Sequence, residues 1–188
     1  MADLRQQKRV LRAAMQELRS KAFAQLPQVG VALRDQFLQH VVLPKAAVVS
    51  SFRSFGSEIS MEPLTEALRS LGHIIVLPVV MGKGLCLQFR RYEAGDSLQR
   101  SAFGLDEPLA DAAVVEPDLL LVPLLAFDRR HYRLGYGGGF YDRTLTDLRQ
   151  RKPLLAVGVG FSCQEVAEVP HGVYDARLDK IATEIHVF

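Results

Sequence analysis

Apolar residues recur at helical spacing through the first 25 positions. Leu4, Leu11, Met15, Leu18 and Ala22 share one face, which predicts a helix over 3–25. Asp3 and Gln6 have the spacing of a capping box at its start, and Pro27 stands where it ends. Lys8, Arg12 and Arg19 flank the apolar stripe instead of opposing it, so their stems can reach over an edge of the core. A solvated face is the commoner role for such residues. Leu33, Phe37 and Leu38 predict a second helix over 29–41, closed by Pro44.

The period then shortens. Residues 46–52 form a continuous apolar and hydroxyl run that suits a strand covered on both faces. The polar loop 53–60 leads into a helix over 61–71, with Ser60 as its N-cap and Gly72 as its stop. Residues 73–77 are a second apolar strand before Pro78. Strand, helix and strand in this order favour a parallel pair with a right-handed crossover. Glu58 then falls just past the carboxyl end of a parallel strand, where open α/β sheets take ligands.

After a turn at 81–84, Leu85, Leu87 and Phe89 alternate with polar residues as a half-buried antiparallel strand. Residues 92–117 show no period, and Gly95, Gly104, Pro108 and Pro117 mark a loop-rich excursion. Core strands are expected at 119–122 and 154–159, with a helix between them running through Leu145 and Leu148. Ile181, Thr183, Ile185 and Val187 alternate as a last strand. The expected fold is α/β: a single three-layer α/β/α domain over 1–188, with a mostly parallel central sheet and an additional antiparallel strand or hairpin.

Composition adds exclusions. A net charge of +2 is too small to predict nucleic-acid binding. No apolar run approaches the roughly 20 residues of a membrane span, and the first residues lack the apolar core of a signal peptide, so a cytoplasmic protein is expected. Cys86 and Cys163 lack metal-binding spacing and read as two reduced, buried thiols. No nucleic-acid or membrane partner is expected, and the expected state is a monomer.

The densest chemistry lies between Arg133 and Arg143. Gly135, Gly137, Gly138 and Gly139 stand among Tyr136, Phe140 and Tyr141. The stretch lacks the Gly-Lys-Ser/Thr ending of a Walker A loop, and Phe140 occupies the third glycine position of a dinucleotide fingerprint. What remains is a glycine loop feeding a helix N-terminus, where free amides and the helix dipole favour an anion. The flanking arginines add charge, the rings offer flat faces to a heterocycle, and Asp142 is a candidate Mg²⁺ ligand. A purely structural turn is the plainer alternative. His40, His73, His131, His171 and His186 show no zinc spacing, and no Gly-x-Ser-x-Gly elbow nominates a nucleophile. Asp175, Asp179 and Glu184 are candidates for a second carboxylate.

The run Arg-Leu-Gly-Tyr-Gly-Gly-Gly-Phe-Tyr-Asp at 133–142, preceded by Val-Pro-Leu-Leu-Ala-Phe-Asp, resembles the signature of the 5-formyltetrahydrofolate cyclo-ligases, also called methenyltetrahydrofolate synthetases. Lys8-Arg-Val-Leu-Arg12 resembles that family's N-terminal basic helix, and Leu178-Asp-Lys-Ile-Ala-Thr-Glu184 its closing segment. The resemblance implies that Lys8, Arg12, Arg133, Leu134, Gly135, Tyr136, Gly137, Gly138, Gly139, Phe140 and Tyr141 bind ATP. It implies Mg²⁺ on Asp142 and Asp179. Glu58 would meet the pterin end of the folate, with Tyr136 to Phe140 lining the place where folate and γ-phosphate meet. Arg133, Tyr136 and Asp142 would carry catalysis. The implied reaction is ATP-dependent cyclisation of 5-formyltetrahydrofolate to 5,10-methenyltetrahydrofolate, with small molecules as the only partners. His131 stands where the family often has glycine, Phe140 where it often has tyrosine, and Val79 where some members carry a basic residue. Two other readings fit the glycine loop: a sugar-phosphate isomerase on a similar scaffold, and a non-catalytic relative that binds nucleotide or folate.

Overall fold

A computed structural model of the chain describes residues 2–26 and 28–188. Pro27, the expected break between the first two helices, lies outside them. Helix α1 spans Ala2–Gln25 and α2 spans Val29–His40. Asp3 lies inside α1 and accepts from the Gln7 side chain at 2.8 Å, so the expected capping box is not formed.

The described strands are β1 (Val48–Ser50), β2 (Ile74–Val80), β3 (Leu87–Arg91), β4 (Leu98–Arg100), β5 (Asp106–Pro108), β6 (Leu119–Pro123), β7 (Ala126–Phe127), β8 (Arg133–Leu134), β9 (Leu155–Val159) and β10 (Lys180–Ala182). Helices α3 (Glu62–Ser70) and α4 (Phe140–Arg151) complete the set. Six strands form one sheet in the order β10-β9-β6-β1-β2-β3, parallel except for the antiparallel pair β2/β3. The pairs β4/β5 and β7/β8 are separate antiparallel hairpins.

The central strands β1, β2, β6 and β9 are almost wholly apolar because both faces are covered, and their side chains sort by the two-residue period. Leu119 and Leu121 of β6 join Val49, Ile75 and Val157 under Leu33 and Phe37 of α2 and Leu64 and Leu68 of α3. Leu120 and Val122 join Val76, Ala156 and Ile181 under Leu145 and Leu148 of α4. That is the three-layer arrangement expected. Helix α1 packs by Met15 on Leu125, Ala126, Leu134 and Val169, over the β7/β8 hairpin. No described helix is long and apolar enough to cross a membrane.

Local expectations are corrected in four further places. Strand β2 continues through Pro78, which pairs with Phe89 beyond the point where β1 ends opposite Val76. The missing N–H of Pro78 therefore removes no ladder bond. The N-cap of α3 is Met61, not Ser60, and its amide is received by the Ser54 hydroxyl at 3.1 Å. The excursion at 92–117 contains the β4/β5 hairpin; Leu98, Gln99 and Arg100 are only partly buried or exposed, so no core imposes a period on them. The last strand ends at Ala182: the Thr183 hydroxyl accepts the His186 amide at 3.0 Å, the chain reverses, and Ile185 is left exposed.

Candidate active site

Strand β1 passes through α3 to β2 on one side, whereas β6 passes through α4 to β9 on the other. The neighbours β1 and β6 are thus the point where connections diverge, and the loops leaving their carboxyl ends open a crevice. A cleft of about 950 Å³ occupies it. Its walls are one side of α1, the loop after β1, the tip of the β4/β5 hairpin and the glycine stretch.

Backbone geometry explains the glycines. Gly139 is the N-cap of α4 with φ +66°, and no side chain caps the amides of the first turn by a hydrogen bond. Gly137 has φ +101°, and a Cβ there would stand 3.3 Å from the Arg12 guanidinium. The loop is also held from α1, since Arg12 Nε donates to the Gly135 carbonyl at 2.8 Å. The other guanidinium nitrogens of Arg12 face Gly137 and complete a cationic, amide-lined cradle for an anion. Arg143, expected to add charge, donates instead to Gly138 O at 2.9 Å and Leu85 O at 3.3 Å and does not line the cleft.

Tyr136 reaches from this loop to the loop after β1. Its hydroxyl donates to Glu58 Oε1 at 2.7 Å, while the Phe55 amide donates to Oε2 at 2.8 Å. Arg19 Nη1 donates to the Tyr136 hydroxyl and lies 3.8 Å from Glu58 Oε1. Glu58 is 6% exposed, and its burial pushes the carboxyl above its usual range against the opposing pull of the Phe55 amide, Tyr136 and Arg19. The Tyr136 and Tyr141 hydroxyls are also raised, first by burial and then by the Glu58 charge.

Arg133 is buried beneath the loop, donating to Ala176 O at 2.9 Å and pairing with Asp142 Oδ1 at 3.0 Å. The Ala176 amide donates to the same oxygen at 3.1 Å, and Asp142 Oδ2 receives no hydrogen bond from the described residues. Lys8 Nζ meets both oxygens of Asp175 at 2.6 Å. Asp179 is not brought to Asp142. Its carboxylate accepts from Arg149 at 2.8 Å and the Ala156 amide at 2.7 Å, at the amino end of β9. Asp142 and Arg149 occupy the first and last turns of α4, so about 10 Å of helix axis separates the two carboxylates' anchors.

Among the described residues no three His, Cys, Asp or Glu side chains gather into a metal site. Asp142, with one carboxylate oxygen open to the cleft, nevertheless suits Mg²⁺, which takes one or two protein carboxylates and completes its shell with water and phosphate oxygens.

Lys8, Arg12, Arg133 and residues 134–142 all line the cleft, as does Glu58. Sequence reasoning gave no role to Phe103, whose ring meets Phe140 edge to face at 5.8 Å, because the hairpin carrying it had no period. Arg19 was legible as a stripe-edge cation, but its partners lie on two distant loops. The three departures from the family pattern are accommodated. His131 has φ +66°, a conformation for which glycine is the usual choice. Phe140 keeps a ring against Phe103. Val79 is buried, while its neighbours Pro78 and Val80 face the cleft. Asp128 is fully buried and holds the turn before the loop: it accepts the amides of Arg130, Tyr132 and Val169 at 2.9, 3.1 and 2.9 Å.

Comparison with known proteins places nearly the whole chain in one family. Residues 4–184 match the model of the 5-formyltetrahydrofolate cyclo-ligase family. The 5-formyltetrahydrofolate cyclo-ligase of Haemophilus influenzae is 32% identical over 180 residues, covering 92% of this chain and 95% of that protein. That of Escherichia coli K12 is 33% identical over 170 residues, covering 87% and 92%. The solved 5,10-methenyltetrahydrofolate synthetase of Aquifex aeolicus superposes with a TM-score of 0.79 at 27% identity, covering 96% of this chain and 91% of its own. A synthetase from Mycoplasma pneumoniae, 20% identical with a TM-score of 0.71, shares the fold. The chain belongs to the 5-formyltetrahydrofolate cyclo-ligase family.

Proposed function

We propose that the cleft converts 5-formyltetrahydrofolate to 5,10-methenyltetrahydrofolate at the expense of ATP, in the presence of Mg²⁺, releasing ADP and phosphate. The observation that carries this is the 2.7 Å contact between Tyr136 of the anion-binding loop and the buried Glu58, which brings a phosphate cradle and a carboxylate to one place.

In this reading the phosphates of ATP lie on the open amides at the start of α4, with Lys8, Arg12 and Arg133 balancing their charge. Each oxygen of Glu58 already accepts one hydrogen bond and has room for another, which matches the adjacent ring N–H and exocyclic amine of a pterin. The formyl oxygen attacks the γ-phosphorus and ADP departs. N10 then attacks the activated formyl carbon, phosphate leaves with the C–O electrons, and N10 gives up its proton as the ring closes. Mg²⁺ held by Asp142 and phosphate oxygens would neutralise charge on the transferred phosphoryl group. Such a transfer depends on positioning and charge neutralisation and requires no protein nucleophile.

The test is to mix purified protein with 5-formyltetrahydrofolate, ATP and Mg²⁺ and follow the methenyl chromophore. Its appearance with stoichiometric ADP is the expected result. A folded protein that binds phosphate but yields neither chromophore nor ADP would favour the isomerase or the non-catalytic reading.

A further inference from the structure

Among the described basic residues of α1, Arg19 alone is buried, at 5% exposure. It does not line the cleft, whereas Glu58 and Tyr136 both do. Its side chain is nonetheless engaged on two sides: Nε donates to the Ser57 hydroxyl at 3.1 Å, Nη1 donates to the Tyr136 hydroxyl, and the guanidinium carbon lies 5.6 Å from the Tyr136 ring centre.

Tyr136 has one hydroxyl proton, and it goes to Glu58 at 2.7 Å. Its oxygen can take the Arg19 hydrogen bond only if that proton points away, so the guanidinium fixes the direction of the hydroxyl. The same guanidinium anchors the loop after β1 through Ser57. One planar fork thereby joins α1, the glycine loop and the loop bearing Glu58.

We propose that Arg19 is a positioning residue for folate recognition, fixing Tyr136 and Glu58 as one unit from behind the cleft. The inference rests on the reading of Glu58 as the folate contact. The groups facing Glu58 are Arg19 from α1, Tyr136 from the glycine loop, Tyr141 from α4 and the Phe55 amide of its own loop. Arg19 is the only cation in that set. Burial already raises the Glu58 carboxyl, so removing the cation moves its titration further upward, and folate binding is lost earlier as pH falls.

The experiment compares wild type, Arg19→Gln, Arg19→Lys and Glu58→Gln in the chromophore assay, with KM for each substrate measured between about pH 5 and 8. For Arg19→Gln the expected result is a folate KM raised about tenfold, an ATP KM changed less than about twofold, and an acid limb of folate kcat/KM displaced to higher pH. Equal rises in both KM values, or an acid limb that stays in place, overturn the inference. Arg19→Lys restores the acid limb but cannot donate to Ser57 and Tyr136 in one plane, so folate KM still rises about threefold. That variant decides the matter if Arg19→Gln does not fold; an unchanged folate KM in Arg19→Lys then overturns the inference. Glu58→Gln separates the two levels. If it leaves folate binding intact, the folate reading of Glu58 falls and the Arg19 inference with it. If it weakens folate binding while Arg19→Gln does not, only the inference about Arg19 falls.

Discussion

The hydroxyl of Tyr136 donates to Glu58 Oε1 at 2.7 Å across a separation of 78 residues. The two side chains meet because β1 and β6 are neighbours in the sheet, and the loops that leave their carboxyl ends must pass each other. The glycine loop and a buried carboxylate are thus tied together by one hydrogen bond. Holding two reactants in fixed relation is the main contribution this type of reaction asks of a protein.

Replacing Glu58 with glutamine should raise the KM for 5-formyltetrahydrofolate about 10- to 100-fold, the range expected from a hydrogen bond to a charged group worth about 1.5–3 kcal/mol. The ATP KM should change little. In wild type the folate kcat/KM should fall with decreasing pH through an apparent pKa above the ordinary glutamate range, because burial favours the protonated form. Initial rates at varied folate and pH test both statements.

Asp142 and Asp179 should behave differently. Asp142→Ala should lower turnover by at least about a thousandfold by removing the one open carboxylate beside Arg133. Asp179→Ala should leave turnover within about twofold but lower stability by about 1 kcal/mol through lost contacts to Arg149 and the Ala156 amide. A Mg²⁺ titration of activity with a thermal melt of each variant distinguishes the two roles; loss of turnover in Asp179→Ala with an unchanged melt would restore Asp179 as a metal ligand.

Gly137→Ala should damage ATP use more than the fold. At φ +101° an alanine is strained by about 1–3 kcal/mol, and its Cβ would press on the Arg12 guanidinium at 3.3 Å. The expected outcome is an ATP KM raised by about tenfold or more, with the protein still folded by circular dichroism.

Asp128→Asn should destabilise the protein at neutral pH. Burial opposes the Asp128 charge, but three backbone amides and Arg130 outweigh it and hold the carboxyl below its ordinary range. A group depressed in the folded state lends stability above its unfolded pKa, and that stability is lost as pH falls through the folded value. The variant should therefore lose about 1–3 kcal/mol near pH 7, with the difference from wild type narrowing in acid. Denaturant unfolding at two pH values measures it.

The spacing of apolar residues was enough to reveal the order of helices and core strands, because continuous apolar runs and helical stripes follow from what each face must bury. It did not reveal the β4/β5 hairpin, whose residues touch little of the core, nor the reversal at Thr183, where alternation persisted without a strand. Tertiary context also moved the cap of α3 from Ser60 to Met61 by supplying Ser54 from the loop before it.

The glycine stretch between Arg133 and Asp142 is determined by the sequence itself: open amides at a helix start are a local property of glycine and of chain direction. Which carboxylates lie beside that stretch was decided only by the tertiary structure. The family resemblance pairs Asp179 with Asp142, yet strand pairing fixes Asp179 at the amino end of β9 beside Ala156. Glu58 and Arg19, remote in the chain, arrive at Tyr136 because sheet order and the packing of α1 bring their elements together. Side-chain partners of that kind depend on long-range contacts that leave no local period to read.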